Sequence, residues 1–193
     1  MIIERLRFIW DNSEGKILDI GCEKGDVWRI FGLKDVTGLD CDNWNPYVKK
    51  FVQGFAEDLP FKDNEFDTVI LGDILEHVKN VEFVLREAYR VSKNKIIVTV
   101  PDEYHYNDIK PFYGKKEALN PNIDPGGFEL YNVSKNINSH IMDDDKFQHL
   151  WHVRYFTKSS LVAEIRKISK NYNISTIRGD WAFYCVIINK EKI

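Results

Sequence analysis

The run Lys16 to Asp26, KILDIGCEKGD, does more than any other stretch to limit what this chain can fold into. Lys16-Ile17-Leu18-Asp19-Ile20 is apolar except for one Asp near its end, and Gly21 and Gly25 follow at once. A helix-like segment, Val27 to Phe31, comes next. A buried parallel strand that ends in a glycine-containing turn and feeds a helix builds a cradle at the carboxyl edge of a sheet. A second apolar run, Val36-Thr37-Gly38-Leu39, ends on Asp40. A carboxylate at that strand end is placed to accept hydrogen bonds from the two hydroxyls of a ribose. The pairing implies an α/β domain that binds a nucleoside.

The rest of the chain repeats the alternation. Strand-like runs occupy Lys16–Ile20, Asp35–Leu39, Val48–Gln53, Phe66–Leu71 and Lys95–Val100, with Ile174–Ile177 and Ala182–Asn189 near the C-terminus. Ile2, Ile3, Leu6, Ile9 and Trp10 form a helical stripe, and so do Val81, Val84, Leu85, Ala88 and Val91, with Asn80 as the predicted N-cap. Thr157 is the predicted cap of a last helix whose apolar face is Leu161, Ile165 and Ile168. Strands alternating with helices imply right-handed crossovers and a parallel sheet. Arg178-Gly179-Asp180-Trp181 is too short for a helical crossover, so the last two strands should be antiparallel.

In order along the chain, ILDIGCEKGD, GLDCD, AEDLPF, EFDTVILGDILEHV and IIVTVP resemble the class I S-adenosylmethionine-dependent methyltransferases, specifically their type 11 group. The resemblance covers Lys16 to Pro101 and resumes at His152-Val153-Arg154-Tyr155-Phe156-Thr157. It implies a Rossmann-like α/β fold: a seven-stranded, mostly parallel sheet with one antiparallel strand and helices on both faces. It also implies S-adenosyl-L-methionine as cofactor. Two departures from a regular frame stand out. Asp40 to Val48 leaves little room for a full helix, and Asn45-Pro46 favours a turn, so the helix normal there should be shortened or missing. Pro101 to Leu150 is a long segment punctuated by Pro, Gly and Asn yet dotted with Tyr and Phe, and is read as a substrate lid inserted at about 101–150 of a single domain, 1–193.

Carried onto this chain, the resemblance gives Asp19 the methionine amino group and passes the Gly21–Gly25 turn beneath the cofactor. Asp19 has a competing role as a turn or capping residue. Glu23 stands where the family has a third glycine, and its side chain either points to solvent or narrows the pocket. Asp40 is the ribose acceptor, with Asp42 beside it. Ala56 and Glu57 fall in the adenine segment, where Phe55 replaces a common Asp; Glu57 and Asp58 also fit as plain exposed turn carboxylates. Gly72 and Asp73 end the fourth strand, where backbone carbonyls hold the methionine ammonium. Asp73 either orients that ammonium or a substrate hydroxyl, or caps a helix. Glu76-His77 matches a common family dipeptide and is expected at a helix start, where a core-facing histidine is more often structural than catalytic.

Methyl transfer from a sulfonium to a hydroxyl needs a proton acceptor. Histidine titrates near neutrality, and His149 and His152 sit three apart in HLWHVRYFT, where the lid rejoins the domain. Each is a candidate base and equally a hydrogen-bonded lid residue. His140, Asp143, Asp144, Asp145 and His149 invite a metal reading, but a polar run of three acids is ordinarily solvated, and no metal is assigned.

Composition weighs against several alternatives. With a net charge of −3 overall, and five lysines against nine acidic residues in 101–150, the chain has no electrostatic footprint for nucleic acid. Cys22, Cys41 and Cys185 have neither metal-ligand nor disulfide spacing, which suits a reducing compartment. Without a secretory leader pattern or an apolar run of about 18 residues, the expected location is cytoplasmic, away from membranes. The leading expectation is a small-molecule methyltransferase acting on oxygen of a sugar-like or otherwise hydroxylated acceptor. The alternatives are an RNA or protein methyltransferase and a non-catalytic module that keeps the fold. No residue pattern sets an oligomeric state.

Overall fold

Along β1 (Lys16–Ile20) the side chains alternate between two cores, as the two-residue period of a strand requires. Ile17 joins one hydrophobic cluster, while Leu18 and Ile20 join the other. The computed structural model, which describes residues 3–102, 154, 156–178 and 182–191, repeats this on the neighbouring strands. On β4 (Phe66–Gly72) Ile70 faces the first cluster and Val69 and Leu71 the second; on β5 (Ser92–Pro101) Ile97 opposes Ile96 and Val98. Burial on both faces is what a central parallel sheet needs.

The sheet has seven strands in the order β3-β2-β1-β4-β5-β7-β6. β2 (Asp35–Asp40) and β3 (Lys50–Gln53) extend it on one side of β1, and β4 and β5 on the other, all parallel. β7 (Phe183–Asn189) runs antiparallel to both β5 and β6 (Tyr172–Ile177), and so is the one reversed strand. The winding reverses between β1 and β4, and the crevice outside the carboxyl ends of those strands is where such folds hold ligands.

Helices cover both faces. α1 (Ile3–Asn12) and α2 (Asp26–Phe31) bury Leu6, Ile9, Val27 and Trp28 against one face. α3 (Val81–Val91) and α4 (Lys158–Arg166) bury Val84, Leu85, Ala88, Leu161 and Ile165 against the other. The expected caps form. Asn80 accepts from the Phe83 amide at 3.2 Å, and Thr157 and Ser160 make a reciprocal capping box. Phe156 is buried beside them and Arg154 Nη2 donates to the Lys79 carbonyl at 2.7 Å, so these residues dock the chain onto the sheet domain as it returns.

Two expectations are refined. β3 begins at Lys50 rather than Val48, because the β2–β3 connection contains no helix: residues 41–49 fold back as a loop, with the Tyr47 amide donating to the Lys24 carbonyl at 3.0 Å. Glu76 and His77 lie in a turn before α3, not on its first turn. The lid, 101–150, lies outside the described residues from position 103 onward.

Candidate cofactor site

Asp19, Asp40 and Asp73 converge at the carboxyl edge of the sheet, from the ends of β1, β2 and β4. Asp19 has the parity of Ile17, so its side chain turns toward α2, where Trp28 Nε1 donates to Oδ2 at 2.7 Å. Both residues are buried. Burial pushes the Asp19 carboxyl up to about 6, against the downward pull of the Trp28 hydrogen bond and the Arg5 charge. The group is therefore half ionised near pH 6 and carries its charge above that value.

Asp40 organises the glycine loop as well as the strand end. Its Oδ2 accepts from the Glu23 amide and its Oδ1 from the Asp42 amide, each at 3.0 Å. A carboxylate has about four acceptor positions, so both oxygens keep capacity for ribose hydroxyls. The Glu23 backbone is therefore tied to Asp40 while its side chain is exposed, which resolves that residue in favour of solvent. It adopts φ 45°, a conformation glycine takes more readily.

The two loop glycines serve protein packing first. Gly21 and Gly25 have φ near 70°. A Cβ on Gly25 would stand 3.0 Å from the backbone N and O of Tyr47, and one on Gly21 would stand 2.9 Å from Ile74 Cδ1. Their amides are also committed, Gly21 to the Leu39 carbonyl at 2.7 Å and Gly25 to the Cys22 carbonyl at 2.8 Å. Gly25 lets the shortened β2–β3 connection lie directly against the cradle, and Gly21 makes room for Ile74.

Asp73 follows Gly72 with φ 55°, and no helix adjoins it, which removes the capping role. Its Oδ1 accepts from Thr99 Oγ1 at 2.8 Å, and its Oδ2 pairs with Arg5 Nη1 at 3.2 Å. Ala56 is buried in the turn after β3, whereas Phe55 is 67% exposed and Glu57 is exposed. That turn is pinned from α3: Glu87 accepts from the Leu59 amide at 2.9 Å, and Arg90 donates to the carbonyls of Leu59 and Phe61. Cys22, Cys41 and Cys185 are free thiols, each pushed up chiefly by burial, which disfavours the thiolate a nucleophile needs. His149 and His152 lie outside the described residues.

Arg5, Trp28 and Thr99 are the site residues that sequence reasoning passed over. Trp28 carried a usable signal, since a buried indole N–H needs an acceptor and Asp19 is the acid interrupting the nearby strand. Arg5 carried none, because a basic residue on the polar side of an amphipathic helix is commonplace.

A doubly wound sheet thus carries acids at the ends of β1 and β2, with a tight loop between them at its carboxyl edge. The methyltransferase domain family model matches residues 18–98, which run from within β1 to within β5 and include all three acids. An uncharacterised protein of Methanocaldococcus jannaschii is 30% identical over 148 residues, 67% of this chain and 64% of that protein. The demethylmenaquinone methyltransferase of Thermotoga maritima is 30% identical over 101 residues, 47% of this chain and 44% of that enzyme. The chain thus spans between about half and two thirds of these curated relatives. Among solved structures, an S-adenosylmethionine-dependent methyltransferase from Mesorhizobium loti superimposes with a TM-score of 0.64 at 13% identity, covering 98% of this chain and 97% of that one. One from Archaeoglobus fulgidus gives 0.61 at 15% identity, with 98% and 93% coverage.

Over residues 18–98 the chain matches the methyltransferase domain family, and its fold is that of the class I S-adenosylmethionine-dependent methyltransferases. S-adenosyl-L-methionine is the cofactor that goes with this family, and the residues present fit it. Asp40 has acceptor capacity left for ribose hydroxyls and Asp19 carries the charge that an ammonium requires, while Ala56 is packed into the core cluster beneath its turn.

Proposed function

We propose that the protein transfers a methyl group from S-adenosyl-L-methionine to a small molecule, an oxygen of a sugar-like or otherwise hydroxylated acceptor. The observation that carries the transferase reading is the acidic row Asp19–Asp40–Asp73 at the switch point, each member held by its own hydrogen bonds. Relatives named for small-molecule methylation, norajmaline N-methyltransferase and demethylmenaquinone methyltransferase, support a small acceptor. The acidic balance of 101–150 speaks against a phosphate backbone.

The bound cofactor supplies an electrophilic methyl on a sulfonium. The protein's contribution is placement. Asp40 and the Glu23–Asp42 amides fix the ribose, Asp19 fixes the amino acid end, and the lid excludes water over the acceptor. For a hydroxyl acceptor, His149 or His152 takes the proton. Replacing the true base with Gln is expected to cut turnover about 10²–10⁴-fold with cofactor affinity retained.

Calorimetry with S-adenosylhomocysteine, followed by label transfer from methyl-labelled cofactor to a panel of hydroxylated small molecules, RNA and protein, tests the reading. Binding with label in a small hydroxylated acceptor is the expected result. Label in RNA or protein would replace the acceptor class, and absence of binding would leave a non-catalytic module.

A further inference from the structure

Resting on that cofactor reading, we propose that Arg5 of α1 binds the α-carboxylate at the amino acid end of the cofactor, so that this helix forms one wall of the site. Arg5 reaches the same sheet edge as the three acids. Its Nη1 pairs with Asp73 at 3.2 Å and lies 3.4 Å from Thr99 Oγ1, and its Cζ sits 5.3 Å from the centroid of the Phe183 ring. It thereby spans the ends of β4 and β5 and the start of β7. It packs beside Gly72, where an added Cβ would stand in ordinary contact, 3.6 Å, from Nη1.

Charge balance sets the role. The cofactor's amino acid end is a zwitterion. Asp19, Asp40 and Asp73 together welcome its ammonium and repel its carboxylate. Arg5 is the basic residue that acts on both Asp19 and Asp73. It is also under-used. A guanidinium carries five N–H donors, yet among the described residues its ion pair and hydrogen bond use Nη1 alone. The buried Nε has no hydrogen-bond partner. A guanidinium in that state beside a ligand crevice matches a carboxylate, the anion its planar fork fits best. Asp19 and Arg5 then read the two ends of the zwitterion, one charge each.

The test pairs the ligand's carboxylate with the side chain. Calorimetry would compare S-adenosylhomocysteine with S-adenosyl-3-thiopropylamine, which keeps the ammonium and lacks only the carboxylate. The wild-type protein should bind the first about 10–100-fold more tightly. Arg5→Gln should lose most of that advantage while holding the decarboxylated ligand within about twofold, and Arg5→Lys should recover part of it. Equal affinity of the wild type for the two ligands overturns the assignment without recourse to any variant. Parallel loss of both ligands in Arg5→Gln also overturns it, because that is the mark of a helix anchor. A wild type that binds neither ligand overturns the cofactor reading itself, and this assignment with it.

Discussion

Trp28 Nε1 donates a 2.7 Å hydrogen bond to Asp19 Oδ2 where both side chains are buried, so the first helix after the glycine loop is bolted to the acid at the end of β1. Hydrogen bonds to charged groups contribute about 1.5–3 kcal/mol, and removing one partner leaves the other buried and unsatisfied. Trp28→Phe keeps most of the packing and deletes the donor. It is expected to destabilise the protein by about 1.5–3 kcal/mol at pH 7.5. The loss should be smaller at pH 4.5, where Asp19 is neutral. Urea unfolding at the two pH values checks this; an equal loss at both would mean that indole packing, not the hydrogen bond, is what matters.

Asp19 also gives the apo protein a pH signature. Its ordinary value of 3.8 is pushed up to about 6, first by burial, with Asp40 adding to the rise. Between those values the folded protein holds a proton that the unfolded chain releases, so stability falls as pH rises through the window. Above about pH 6 the cost of the buried charge is fully present, about 3 kcal/mol. Glu87, held low by Arg90, and Glu65, held low by Lys16, act in the opposite sense at lower pH, so the wild-type curve alone mixes the two. The difference from Asp19→Asn isolates the group. That variant should be the more stable apo protein at pH 7.5 and should converge with the wild type near pH 4. A variant less stable than wild type at pH 7.5 would contradict the assignment.

The same group links cofactor binding to pH. A ligand ammonium beside Asp19 favours the carboxylate, so binding must expel the proton that Asp19 carries below about pH 6. Affinity for S-adenosylhomocysteine should hold steady above that value and fall as pH drops through it, by at most about tenfold per pH step. Asp19→Asn should bind weakly with a flat profile. Calorimetry from pH 5 to 8 reads both, and a wild-type profile as flat as the variant's would remove Asp19 from the ligand.

Much of this was legible beforehand for a physical reason. Strand period and turn chemistry are local, so Ile17, Leu18 and Ile20 reveal a strand buried on both faces, and Asn80 and Thr157 announce their helices. The positions of Asp19 and Asp40 at the ends of β1 and β2 were legible because each acid interrupts or closes an apolar run. What was not legible is long-range. Arg5 meets Thr99 across 94 positions, Arg90 and Glu87 pin the turn at Leu59, and Tyr47 decides why Gly25 must be glycine. No spacing rule reports such contacts, because they depend on where the sheet brings distant segments.

Asp40 should matter to the ribose and not to the amino acid end. Asp40→Ala removes two charge-assisted acceptors for the hydroxyls and strips the Glu23 and Asp42 amides of theirs. At about 1.5–3 kcal/mol per bond, affinity is expected to drop at least tenfold. The loss should be the same for S-adenosylhomocysteine and for 5′-methylthioadenosine, which has the ribose and no amino acid. An unchanged affinity in a folded variant, or a loss confined to S-adenosylhomocysteine, would move the ribose acceptor elsewhere.

The last prediction separates the two loop glycines. Both sit near φ 70°, where an L side chain costs on the order of 1 kcal/mol. What a Cβ would meet differs. At Gly25 it meets the Tyr47 backbone, which is tied to the Lys24 carbonyl and can give way only if the whole β2–β3 connection shifts. At Gly21 it meets Ile74 Cδ1, the far end of a flexible side chain that can rotate aside. Gly21→Ala should therefore cost little beyond its backbone term, about 1–2 kcal/mol, whereas Gly25→Ala should add overpacking of about 1–3 kcal/mol. Gly25→Ala should also weaken S-adenosylhomocysteine binding more, because displacing Tyr47 disturbs the loop whose Glu23 amide fixes Asp40. Urea unfolding and calorimetry on the two variants would show the order, and a Gly21→Ala variant that is the less stable of the pair would refute this account of the loop.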